Sequence, residues 1–185
     1  MQPIYILLIV VVLLGVFVLF LYNNLIALRN RVQEAWSDID VQLKRRNSLI
    51  PNLVESVKGY MKHERELLER ITQLRTQVEQ AQNPKELGQL DGQLSSALGS
   101  LRIAVENYPD LKASQNFQQL QEELTSTEDK ISYSRRFYNQ TVLAFNTAIQ
   151  QFPNSLLANM LGFTQREFFE ANEEEKKEVK VEFSK

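Results

Sequence analysis

Apolar and polar positions divide the chain at Tyr22. Before it, Ile4 to Tyr22 form an unbroken apolar run with no charge and one weak helix former, Gly15. A hydrocarbon core about 30 Å thick takes roughly 20 helical residues to cross. In lipid a single segment satisfies its own backbone only as a helix. The run therefore predicts a transmembrane helix over 4–22. A cleaved secretory signal fits less well: no Lys or Arg precedes the run, its core is long, and no small-residue cleavage site follows.

Beyond Asn23 the pattern becomes amphipathic. Leu25, Leu28, Val32, Trp36, Ile39 and Leu43 recur every three or four residues, one face of a helix that continues the span. The string RRNSLIPNLV follows, from Arg45 to Val54. Pro51 inside a helix removes a hydrogen bond and crowds the preceding turn, whereas in a first turn it costs little. Ser48 suits an N-cap, which favours a tight turn near Arg46–Ser48. The alternative is one long helix kinked at Pro51, because the apolar phase survives across the proline. A second helix then carries Ile50, Leu53, Val54, Val57, Tyr60, Met61, Leu67, Leu68, Ile71, Leu74 and Val78.

Asn83-Pro84-Lys85-Glu86 has the form of a capping box and starts a third helix, with Leu87, Leu90, Leu94, Leu98, Leu101 and Val105 on its stripe. Tyr108-Pro109-Asp110 ends it. The fourth pattern is the most regular. Phe117, Leu120, Leu124, Thr127, Ile131, Ser134, Tyr138, Thr141, Phe145, Ala148 and Phe152 alternate by three and four, a heptad seam. Pro153 stops this helix, and Ser155–Leu161 reads as a short one closed by Gly162. Such stripes bury against one another. The predicted fold is all-α: an N-terminal transmembrane helix, then an antiparallel up-down four-helix bundle with long helices. Residues 1–3 form an extracytoplasmic stub, 4–22 the span, 23–161 the bundle, and 162–185 a charged tail read as mobile.

Composition narrows the function. The chain has 185 residues, enough for one core beyond the span. A net charge of −2 offers nucleic acid no basic field. Without cysteine there are no disulfides, thiolate ligands or thiol nucleophiles. Arg29, Arg31, Lys44, Arg45 and Arg46 follow the span and no basic residue precedes it, so the N-terminus is expected outside and the rest in the cytoplasm. On that side Asn139-Gln140-Thr141 is a glycosylation sequon by coincidence.

Little chemistry is encoded. The single histidine begins His63-Glu64, but Leu67 stands where a zinc protease needs its second ligand. No phosphate-binding glycine loop and no nucleophile elbow occurs. The expectation is a non-enzyme without metal or cofactor. The charged string Arg29, Arg31, Asp38, Asp40, Lys44, Arg45 and Arg46 is the candidate interaction surface. Along a continuous helix Lys44 lies about 33 Å beyond Tyr22, out of reach of headgroup charge. Pairing of its basic groups with Asp38, Asp40 or a helix C-terminus is the simpler role. Trp36 falls on the apolar stripe and is expected in the core.

Several strings, in order, resemble the LemA family of bacterial membrane proteins. They include Tyr22-Asn23-Asn24-Leu25, Leu28-Arg29-Asn30-Arg31-Val32, Glu34-Ala35-Trp36-Ser37-Asp38-Ile39-Asp40 and Leu49-Ile50-Pro51-Asn52-Leu53-Val54. Tyr108-Pro109-Asp110-Leu111, Arg135-Arg136-Phe137-Tyr138-Asn139 and Phe152-Pro153 continue the likeness, which runs from Tyr22 to Phe169. The resemblance implies one N-terminal membrane helix and a cytoplasmic helical bundle, with no assigned activity or ligand. Two functions follow as expectations. One is a membrane-anchored scaffold or adaptor in contact with the lipid bilayer, other membrane proteins or a second copy of itself. The other is a small-ligand or lipid sensor with a pocket near Tyr138, Thr141 and Asn146.

Overall fold

Every regular element among the described residues, 2–61 and 63–169 of the computed structural model, is helical. In chain order they are α1 (Gln2–Lys58), α2 (Arg65–Gln80), α3 (Pro84–Val105), α4 (Pro109–Lys112), α5 (Gln115–Gln150) and α6 (Asn154–Met160). They fall into two compact units. One takes its described residues from 1–39 and 134–167, the other from 40–133 and from Phe168 onward. Both α1 and α5 contribute to each.

In the first unit the apolar run of α1 is long and apolar enough to cross a membrane, and no part of it is buried. Burial begins at Leu25 and continues through Val32, Ala35 and Ile39. On α5 the matching residues are Tyr138, Val142, Phe145 and Ile149, all buried. Two contacts set direction and register. The half-buried Trp36 ring meets that of Tyr138 in a tilted pair, 5.4 Å between centroids and 56° between planes. Seven residues earlier on α1 and seven later on α5, the Phe163 ring lies 6.3 Å from that of Phe145. The Arg29 guanidinium sits 5.7 Å from the same Phe163 ring. In this unit, therefore, α1 and α5 run antiparallel.

The second unit buries Leu43, Ile50, Leu53 and Val57 of α1 with Leu68, Ile71 and Leu74 of α2, Leu94 and Leu101 of α3, and Phe117 and Leu124 of α5. The α3 start is built as its sequence predicts. Asn83 Oδ1 accepts from the Glu86 amide at 2.8 Å, and Pro84 occupies the first turn. The returning Glu86 carboxylate accepts from the Gln82 amide, one residue before the cap, at 3.3 Å.

The turn expected near Arg46–Ser48 does not form. α1 passes through it, with Pro51 inside the helix, and ends instead at Lys58, with α2 beginning at Arg65. Three observations explain the difference. The stripe Ile39, Leu43, Arg46, Ile50, Leu53, Val57 is buried without a phase break, so ending the helix would forfeit that burial. Ser48 does not cap; its hydroxyl donates back to the Arg45 carbonyl at 2.7 Å. Pro51 has no N–H for the carbonyl four residues earlier, that of Asn47. That carbonyl instead accepts from Arg75 Nε of α2 at 3.0 Å. The helix thus ends at Lys58-Gly59, where Tyr60 and Met61 amides both return to the Val57 carbonyl, at 3.0 and 2.9 Å. Glycine is a poor helix former by about 1 kcal/mol relative to alanine.

Because Arg75 serves a carbonyl that Pro51 leaves orphaned, the two residues are energetically coupled. Arg75→Met in the full chain should cost about 1–3 kcal/mol by urea unfolding in detergent micelles. In a Pro51→Ala background the restored N–H can take the Asn47 carbonyl, and the same change should cost about 1 kcal/mol less. Equal costs in both backgrounds would refute the coupling.

Candidate functional site

Arg46 has the position of a core residue on α1 and the side chain of a surface one. Its side chain and that of Asp91 on α3 have no exposed surface. One guanidinium nitrogen, Nη2, donates to Asp91 Oδ1. The other, Nη1, donates to Glu128 Oε1 of α5 at 2.9 Å and to Ser95 Oγ of α3 at 3.1 Å. Ser95 in turn donates to Glu128 Oε2 at 3.1 Å. A single residue therefore bonds three side chains on two other helices. Burial by itself pulls the Arg46 pKa down. The charges of Asp91 and then Glu128, with their hydrogen bonds, outweigh it, and the pKa lies above the ordinary arginine value. Gly88 and Gly92 flank Asp91 on the buried face of α3 and add no side chain beside it.

The cluster carries one positive and two negative charges, with Glu128 30% exposed. It opens onto a groove of about 880 Å³, whose walls include Leu53, Leu98, Phe117 and Leu124 as well as Ser95 and Glu128. Gly99 leaves further space there, since a Cβ at that position would meet nothing within 4 Å. Such a surface offers a carboxylate edge and a hydroxyl beside apolar walls. It is suited to binding a group that can meet a carboxylate and a hydroxyl beside apolar walls.

The predicted interaction residues separate. Arg31 and Asp38 are exposed. Arg29 lies over Phe163. Lys44 pairs with Asp40 at 2.6 Å, one turn away on the surface. Arg45 reaches Glu123 of α5 at 2.6 Å. Arg46 is internal, so it contributes to no surface. The basic triplet thus pairs chiefly across helices, with Asp40 as its one local carboxylate. A signal for the cluster did exist in the sequence. Arg46 falls on the stripe 39, 43, 46, 50, 53, and Asp91 on the stripe 87, 91, 94, 98, 101, so opposite charges occupy core positions of different helices.

Tyr138, Thr141 and Asn146 are engaged by the chain itself. Asn146 Oδ1 accepts from the Arg166 amide at 2.8 Å and its Nδ2 donates to the Arg166 carbonyl at 2.9 Å. Tyr138 donates its hydroxyl to the Glu167 carbonyl at 2.9 Å, and Thr141 to the Tyr138 carbonyl at 2.8 Å. Burial raises the Tyr138 pKa; Arg166 opposes the rise and Glu167 adds to it. Residues 163–169, read from the sequence as the start of a mobile tail, thus include a strap along α5. The remainder, 170–185 with its Glu/Lys run, lies outside the described residues.

Among the described residues the protein is all-helical, with one helix long and apolar enough to cross a membrane and with the buried Arg46 and Asp91 bonded to each other. The LemA family model matches residues 35–183, and the chain belongs to that family. It is 34% identical over 158 residues to Protein LemA of Metamycoplasma hominis, covering 85% of this chain and 72% of that one. It is also 25% identical over 175 residues to Magnetosome protein MamQ 2 of Paramagnetospirillum magneticum, covering 80% of this chain and 64% of that protein. Magnetosome protein MamQ of Magnetospirillum gryphiswaldense is similar at the same 25%, over 174 residues.

Two outcomes test these assignments. Arg46→Met strands a buried Asp91 carboxylate and should cost about 3–5 kcal/mol in denaturant unfolding of the full chain, most of it recovered by adding Asp91→Leu. A small cost for the single change would show that the cluster bears no structural role. Asn146→Ala should speed hydrogen exchange at the Arg166 amide while amides at the centre of α2 stay protected; unchanged exchange at Arg166 would show that the strap is held otherwise.

Proposed function

We propose that this protein is a non-enzymatic scaffold or adaptor anchored in the bacterial cytoplasmic membrane. Its N-terminus lies outside and its helical domain, an antiparallel up-down four-helix bundle, lies in the cytoplasm. The supporting observation is the course of α1. It leaves the apolar run at Tyr22 and is buried against the rest of its own unit from Leu25, with no linker between. A domain joined so directly to an anchor is confined to a surface, which raises its effective concentration toward other membrane proteins or further copies of itself. The basic residues after the span support the orientation. The reported relatives do not carry enzyme names.

A second reading, sensing of a small ligand, is favoured by the groove beside Glu128 and Ser95. Its volume is in the range of small-molecule sites. The polar groups first expected to line a pocket, Tyr138 and Asn146, hydrogen-bond to the strap instead.

Crosslinking in native membranes separates the readings. The scaffold should resist alkaline extraction and be recovered in a crosslinked species of defined stoichiometry, with itself or with a fixed partner. Recovery as a monomer, together with a melting-temperature rise on addition of a small polar metabolite, would reverse the order of the two. Protease added outside intact cells should leave the C-terminal region uncut; its cleavage there would overturn the orientation.

A further inference from the structure

The far end of the α5 seam behaves unlike the rest. Phe117, Leu124, Ile131, Tyr138 and Phe145 are buried as heptad positions should be, but Phe152, the next member, is 81% exposed. The register within this unit places it. Trp36 faces Tyr138, and one heptad on Phe163 lies between Arg29 and Phe145. One further heptad along α1, about 10 Å, reaches Tyr22, the last residue of the apolar run; α5 ends at Gln150, five residues past Phe145, so Phe152 follows the α5 end on the side of that run. The adjoining segment adds Leu156, Met160 and Leu161, which are 62%, 82% and 50% exposed. Leu156 and Met160 are one turn apart on the same face of α6.

Charge follows the same geography. From Phe137 to Gln165 there are 29 consecutive residues without Asp, Glu, Lys or Arg, in a chain that is 24% charged. Arg136 and Arg166 bracket that stretch. Large apolar side chains exposed together mark a contact surface. A corner that carries no charge of its own, near the end of a membrane helix, meets headgroups and the upper acyl chains before anything else, with Arg29 of α1 one heptad beyond Tyr22 over Phe163. Its insertion there would desolvate no ion and would bury apolar side chains, as interfacial helices do.

The geometry points to a second membrane contact: Phe152, Leu156, Met160 and Leu161, at the α5–α6 corner, embed in the lipid interface beside the point where α1 leaves the bilayer. The partner is the lipid surface itself. This inference rests on the membrane-anchor reading of α1. It adds that the domain lies against the bilayer through its own side chains and so is held at two points.

The absence of native cysteine makes the test direct. Full-length chains carrying Leu13→Cys, Gln140→Cys, Leu156→Cys or Met160→Cys are spin-labelled and reconstituted in palmitoyl-oleoyl phosphatidylcholine vesicles. Collision rates with oxygen, which enters lipid, and a nickel chelate, which stays in water, are then compared. The expected result is an oxygen-to-nickel ratio at 156 and 160 several-fold above that at 140 and approaching that at 13. If 13 is in lipid while 156 and 160 match 140, the interfacial contact is wrong and the anchor stands. If 156 and 160 are shielded from both reagents, the corner is covered by protein, and the lipid assignment is equally overturned. If 13 itself is in water, the anchor reading fails and takes this inference with it. The triple change Phe152→Gln, Leu156→Gln and Met160→Gln should lower the ratio at a label on 161 (Leu161→Cys) several-fold and leave that at 13 unchanged; an unaltered ratio at 161 would also refute the contact.

Discussion

A guanidinium removed from water must be met by anions, and in this protein the anions come from other helices. Asp91 of α3 and Glu128 of α5 converge on Arg46 of α1, with Ser95 bridging. Leucine stripes tell a helix which side to bury but tolerate sliding by a turn, because one leucine replaces another at similar cost. An ion cluster does not tolerate it, since a slip by one turn strands buried charge. The cluster therefore supplies the register that the apolar seams leave loose, and the other features of its unit are arranged around it.

The helix that carries Arg46 has a defect only one turn further on. Pro51 breaks the hydrogen-bond ladder of α1, yet α1 continues because Arg75 of α2 takes the carbonyl that the proline abandons. The same logic recurs in the other unit, where Asn146 substitutes for backbone partners of Arg166. In each case a side chain on one helix completes the backbone of another segment. Such bonds are worth little net when formed, but leaving the carbonyl or amide buried without them is costly. They act as constraints on arrangement more than as sources of stability.

The end of the chain's fold nearest the apolar run follows a different rule. There the stretch from Phe137 to Gln165 carries no charge, and large apolar side chains remain uncovered around Phe152 and Met160. Arg29 is placed over the Phe163 ring, close to the level where the run ends. A cation that can hold an aromatic face keeps part of its interaction when water is scarce.

Periodicity and composition alone determined the helical class, the apolar span, the cap at Asn83 and most of the buried face of α5, because these follow from spacing along one strand of chain. They left the course through Arg46–Pro51 open between a turn and a continuous helix. That choice depended on Arg75, distant in sequence, and local capping preferences favoured the turn that does not form. They also read Arg46 as part of a charged surface. Its place on an apolar stripe was visible, but its burial depended on Asp91 and Glu128 arriving from two other helices. Only the tertiary structure decided these matters, since the free energy of a buried charge or an orphaned carbonyl is set by what surrounds it in space. The exposed Phe152 belongs to the same class. Its spacing predicts a core residue, but α5 ends at Gln150 and Phe152 lies exposed just beyond it.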